Sequence, residues 1–185
     1  MSHFSHQAKL CSLAAILFFS ASASAQVLFS GKSINLNLAN ELAREAIAQC
    51  EAGGYKVSAS VVDVAGVERV FLRGDHSTIH TRETAFKKAY TEATLGPIFG
   101  TSTTGQLVEK LSKIPTAAGL TSVTNVIMLA GGVAIRSNGE IIAAIGVGGA
   151  PGGHLDEACA LTAVSKIQAR IDALEAPKLP SANPK

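Results

Sequence analysis

Two apolar runs, Val133-Ala-Ile135 and Ile141-Ile-Ala-Ala-Ile-Gly-Val147, are joined through Ser137-Asn138-Gly139. An Asn-Gly pair supplies the positive φ angles of a tight two-residue turn, so the runs it joins pair as antiparallel strands. No other feature limits the possible folds of this chain so strongly. A second hairpin is read at Ala65-Gly66, between the β-rich runs Val57 to Val64 and Val67 to Arg73. One further apolar run, Val126-Ile-Met-Leu-Ala130, stands before Gly131-Gly132 and reads as another strand.

Between these runs the apolar period changes to that of a helix. Ala39, Leu42, Ala43, Ala46 and Cys50 share one face after Asn37, a capping residue, and Gly53-Gly54 closes that helix. Phe86, Ala89, Tyr90 and Ala93 mark a second helix, capped by Thr78 or Thr81 and stopped at Gly96-Pro97. Thr104 to Lys113 predicts a short one. Leu155 to Leu174 predicts the last, with Ala160, Ala163, Val164, Ile167, Ile171 and Leu174 inward. Hairpin-linked strands and covering helices together predict a single α+β layered domain, its sheet mainly antiparallel and flanked by helices.

Composition has to be read without the first 25 residues. Met1 to Ala25 holds one lysine, Lys9, no acidic residue, an apolar run from Leu10 to Phe19, and Ser22-Ala23-Ser24-Ala25 at its end. A signal peptidase reads that pattern, so cleavage after Ala25 and a periplasmic or secreted product are expected. The expected organisation is a signal peptide at 1–25, a lead at 26–34, the domain at 35–174 and a disordered tail at 175–185 carrying Pro177, Pro180 and Pro184. Loss of Lys9 lowers the formal net charge of +2 by one, too near neutrality for capture of nucleic acid or an anionic membrane. No later segment has the length and apolarity of a membrane span. Of the cysteines, Cys50 and Cys159 remain, either as a bridge between two helices or as two small buried hydrophobes.

Two stretches carry chemistry. Gly146-Val-Gly-Gly-Ala-Pro-Gly-Gly-His154 leads from a strand into a helix. Its glycines, Gly148, Gly149, Gly152 and Gly153, let backbone amides approach a ligand, and the helix start favours a carboxylate or phosphate. The order is neither that of a Walker loop nor of a dinucleotide fingerprint, and a purely structural turn is the alternative. Asp156 and Glu157 follow in the first turn, where they stabilise the helix dipole and oppose an anion beside them. The other stretch is Arg73-Gly-Asp-His76-Ser-Thr-Ile-His80-Thr-Arg82-Glu83. His76 and His80 stand four apart, so on one helical face they can hold a metal ion; if the helix begins at Thr81, His80 alone offers an axial haem ligand. Arg82, Lys87 or Lys88 would then meet the propionates. A solvated loop is the alternative. His154 either approaches this loop or caps its own helix. Signatures of covalent hydrolases are absent.

Val61-Val-Asp-Val-Ala-Gly66, His80-Thr with Lys88-Ala-Tyr-Thr91, Gly131-Gly-Val-Ala-Ile135, and Ala144-Ile-Gly-Val-Gly-Gly-Ala-Pro-Gly-Gly-His-Leu-Asp-Glu-Ala-Cys159 together resemble the GlcG/HbpS family of haem-binding proteins. The resemblance runs from about Asn35 to Ile171 and is most specific in its last block. It implies a five-stranded antiparallel sheet with helices on its faces, assembly into homo-oligomers, and haem as cofactor. Many members carry serine at the position of Gly148, so a ligand contact made by that hydroxyl is missing here. The axial ligand is assigned to His80, or His76, from imidazole chemistry and not from a family motif.

The leading expectation is therefore an exported, non-catalytic haem-binding protein used in haem or iron handling or sensing. A second reading is an enzyme or binding protein for a small carboxylic acid, with the glycine turn as cradle and His154 as acid or base. A third is an oligomeric scaffold without a ligand. With 5% aromatic residues and no tryptophan, a shallow haem site is expected in place of a closed apolar cavity.

Overall fold

The structure, a computed structural model, describes residues 31–176. The expected signal peptide, most of the lead and nearly all of the tail lie outside the described residues. In chain order the elements are α1 (Leu36–Ala52), β1 (Ser58–Asp63), β2 (Glu68–Arg73), α2 (Thr81–Phe99), α3 (Thr104–Leu111), a 3-10 helix (Pro115–Ser122), β3 (Gly132–Ser137), β4 (Glu140–Gly148) and α4 (Gly153–Asp172). The strands form one antiparallel sheet in the order β2-β1-β4-β3. Asn138 and Gly139, with φ of 49° and 89°, make the β3–β4 turn as their sequence requires.

The α+β layering stands, but the sheet has four strands where five were expected. Val126 to Ala130 forms no strand, because the backbone groups on and beside it are taken elsewhere. Ile127 N donates to Thr91 Oγ1 at 2.9 Å, and Gly131 N donates to Glu157 Oε2 at 3.1 Å. The β3 edge it would have joined is held by Ser102 O, which accepts from Ala134 N, and by a bridge between Thr103 and Val133.

Helix ends also differ from expectation. Asn35, not Asn37, caps α1, its side chain accepting from Leu38 N at 2.9 Å. Neither Thr78 nor Thr81 caps α2. His80 occupies the cap position without a side-chain bond, and the Thr81 hydroxyl donates to Thr78 O at 2.6 Å. Pro97 does not stop α2, which runs on to Phe99 and ends at Gly100 with φ 64°. The last helix starts at Gly153, and Leu174 lies beyond its end, packed on the core.

Alternation along the strands divides the domain into layers. Ala59, Val61, Val133, Ile135, Ile145 and Val147 pack with the inward faces of α1 and α4 in the main core. The opposite face presents Val62 and Ala144 to Phe86, Ala89 and Ala93 of α2. Gly146 shows how close α2 lies: a β-carbon there would overlap the Ala85 carbonyl and come within 2.5 Å of Ala89 N. Cys50 and Cys159 are bridged, which settles their role by tying α1 to α4 across 109 residues with Cα atoms 5.4 Å apart.

Two outcomes follow for stability. Gly146→Ala places a methyl group against backbone that cannot give way, and should cost about 3 kcal/mol or more in urea unfolding, the upper range for overpacking. Replacing both Cys50 and Cys159 by alanine releases a long loop in the unfolded chain and should cost about 2–5 kcal/mol in the same measurement.

Candidate functional site

The start of α2 and the turn from β4 into α4 face one another across a hollow of about 250 Å³. His80, Thr84, Lys88, Leu129, Asp156 and the turn Gly149 to Gly153 line it. The two stretches singled out in the sequence thus meet in space. One turn of helix separates His80 from Thr84, and a second separates Thr84 from Lys88, so all three face the hollow.

At its floor lies an ion pair. Lys88 Nζ is 2.7 Å from Asp156 Oδ2, with side-chain exposures of 3% and 2%. The same ammonium donates to Val147 O at 2.9 Å. Asp156 Oδ1 accepts from Ala150 N at 3.0 Å, which fastens the glycine turn to the first turn of α4. Burial pushes the Asp156 carboxyl above the ordinary aspartate range, while Lys88 and the amides of Ala150 and Gly149 pull it back. Lys88 is therefore committed to the protein and is not a free cation for a ligand. Neighbouring Glu157 serves similarly, accepting from Gly105 N at 2.8 Å and from Gly131 N at 3.1 Å. Dipole support from these two acids is secondary to their cross-links.

The remaining sequence candidates are placed as follows. His80 is exposed, and its imidazole has no hydrogen bond among the described residues, so a ring nitrogen is available to a ligand. His76 sits in the preceding turn with φ 63°, outside the lining, and does not share a helical face with His80. Accordingly, no cluster of three or more metal-ligating side chains occurs among the described residues. Arg82 points toward β2, lying 3.8 Å from Glu68 and over the Phe71 ring at 5.4 Å. Lys87 pairs with Glu83 at 3.2 Å. His154 folds back beside Gly152 and is not part of the lining. Gly148 packs against Thr84, whose Oγ1 would be 2.6 Å from an added β-carbon. A hydroxyl therefore stands near this position from α2 in place of one on β4.

Thr84 and Leu129 were not signalled by the sequence, and Asp156 was read only as dipole support. For Thr84 and Asp156 the usable signal was spacing: Thr84 lies one turn after His80 and one before Lys88, and Asp156 is the acid nearest the glycine turn. The lining is half polar and includes Leu129 and Pro151, with no phenylalanine, tyrosine or tryptophan. At about 250 Å³ it falls below the roughly 300–1,000 Å³ of enclosed ligand pockets. A hollow of that size suits a small acid or one part of a larger ligand. The Phe86 and Tyr90 ring centroids are 5.9 Å apart, and Phe86 borders a surface hollow with Glu68, Arg82 and Glu83.

The family model described as "Haem degrading protein HbpS-like" matches residues 34–165. A crystal structure of HbpS is 33% identical, with a TM-score of 0.68 over 76% of this chain and 94% of that one. The Streptomyces reticuli HbpS double mutant is 28% identical, with a TM-score of 0.68 over 88% and 99%. The PduOC:haem complex, at 22% identity and a TM-score of 0.61 over 79% and 99%, shares the fold. No curated protein sequence matches the chain. With the four blocks of sequence, the sheet and the paired helices all accounted for by that match, the protein belongs to the HbpS-like family.

Proposed function

We propose that the protein is an exported, non-catalytic haem-binding protein, and that haem docks by one edge into the hollow between α2 and the glycine turn. The observation that carries this reading is His80, an exposed imidazole without a hydrogen-bond partner at the mouth of the hollow. In this reading His80 would ligate the iron, and the amides of Gly152 and Gly153, at the start of α4, would receive a propionate. Bound haem supplies its own iron chemistry; the protein supplies a ligand, a carboxylate site and partial exclusion of water. Lys88 and Asp156 hold the turn in place and stay paired beneath it. Thr84 offers a hydroxyl beside the macrocycle.

Membership of the HbpS-like family supports haem as the ligand class. The Cys50–Cys159 bridge supports export, because such bonds persist in oxidising compartments. Exposed Ile79 and Ile98, at 77% and 72%, support self-association, which would cover them. A second reading draws on the size and polarity of the hollow: a small carboxylic acid fits it entirely. His154 stands outside that lining, beside Gly152.

Titration of the purified protein with haem, followed by absorbance, checks both readings. Wild type should shift the Soret band, and His80→Ala should weaken binding by at least about tenfold, equivalent to about 1.4 kcal/mol. His76→Ala and Arg82→Ala should leave the titration unchanged. A millimolar small carboxylate should compete if the turn receives a propionate. An unaltered titration in His80→Ala removes the assigned ligand, and a thermal shift with small acids but none with haem favours the second reading.

A further inference from the structure

The corner where α2 turns into α3 contains a carboxyl group that the proposed site does not use. Glu92, one helical turn beyond Lys88, is fully buried at 0% exposure, and neither carboxyl oxygen has a hydrogen-bond partner. Thr101, which faces it from the α2–α3 connection, is 5% exposed and has an equally unpartnered hydroxyl. Their neighbours are all engaged. Thr101 N donates to Gly96 O, Ser102 N to Gln106 Oε1, Gly105 N to Glu157 Oε2, and Lys110 Nζ to Phe99 O.

Gly96 explains how Glu92 fits. A β-carbon at Gly96 would overlap Glu92 Oε1, so the glycine that reads as a helix stop is in fact the space for this side chain. The charged groups around it do not compensate a negative charge. Lys88, on the same helix, is bound to Asp156 of α4. Glu157, also of α4, repels a charge on Glu92, while Arg136 of β3 attracts it from a distance and has its own bond to Gly139 O. One hydroxyl and one distant guanidinium do not replace the water lost by a buried carboxylate.

We propose that Glu92 is a proton-binding site that latches the α2–α3 corner: neutral, it stays packed under Gly96 and Thr101, and on ionising it leaves this position and loosens residues 99–105. A protonated carboxyl carries no charge to desolvate and gains an O–H donor of its own, so burial beside Thr101 costs it far less than it costs a carboxylate. Burial first and Glu157 second push the carboxyl up from 4.5 to about 8, with Arg136 and Thr101 opposing. Between those two values the folded chain holds one proton more than the unfolded chain, so stability falls as pH rises through that window and levels off above it.

A carboxyl-carbon NMR titration of the intact protein, with amide exchange measured over the same pH series, tests the latch. One glutamate signal, missing from Glu92→Gln, should titrate near 8. Exchange at Thr101, Ser102 and Gly105 should rise across that midpoint by at least about tenfold beyond its intrinsic pH dependence, and Glu92→Gln should abolish the excess. A Glu92 midpoint among the ordinary glutamates overturns the proposal, as does an excess that survives in Glu92→Gln. Should the glutamine variant not fold, the wild-type series decides: the high midpoint with the exchange step supports the latch, and either one missing overturns it.

Discussion

The contact of α2 with the sheet is the constraint on which the rest of the structure depends. Packed layers normally stand well apart, about 10 Å for two stacked sheets, because side chains fill the gap. Here β4 alternates large and small residues, Ile145 and Val147 toward α1 and α4, Ala144 and Gly146 toward α2, so the second face has almost nothing to fill. The helix backbone comes down onto the strand backbone. Dispersion contacts between the two backbones are gained at the cost of intolerance to any added atom.

That closeness makes the Lys88–Asp156 pair possible. From α2, Lys88 reaches past the sheet edge to Val147 O and to the first turn of α4, linking two helices on opposite faces. A buried ion pair is weak grounds for stability, since apolar residues of the same volume often do better. Its worth lies in position. Asp156 spends its second oxygen on Ala150 N, so the lysine, the aspartate and the glycine turn move as one body. On the proposed reading, a carboxylate at the turn would meet the amides of Gly152 and Gly153, with the nearest acid paired to Lys88.

Much of this was legible in the sequence because it is written in local patterns. Asn138-Gly139 gave one hairpin, and the helical stripes gave the residues that α1 and α4 bury. The histidine loop and the glycine turn were singled out separately, each by its chemistry, and the fold sets His80 and Gly149 around one hollow. What escaped was decided by distant partners. Val126 to Ala130 has the composition of a strand, yet Thr91 and Glu157 claim backbone amides at and just after it. Gly96-Pro97 has the form of a stop, yet Gly96 accommodates Glu92. Arg82 and Lys88 look like free cations until Glu68 and Asp156 are placed beside them. Propensity describes a residue's options; the partner that takes its hydrogen bond or its space chooses among them.

The same reasoning bears on what the proposed site does with haem. Sites that retain a ligand enclose most of its surface, commonly 70–90%. A hollow of about 250 Å³ without an aromatic wall encloses an edge and leaves most of the macrocycle outside. Ligation by the single exposed imidazole of His80 would add bond energy without adding enclosure. Both features shorten residence time more than they slow arrival, because the mouth is open and no element has to move to admit the ligand. On the proposed reading the single chain is thus built to take up and surrender haem, and any tighter hold has to come from a surface that covers the exposed macrocycle.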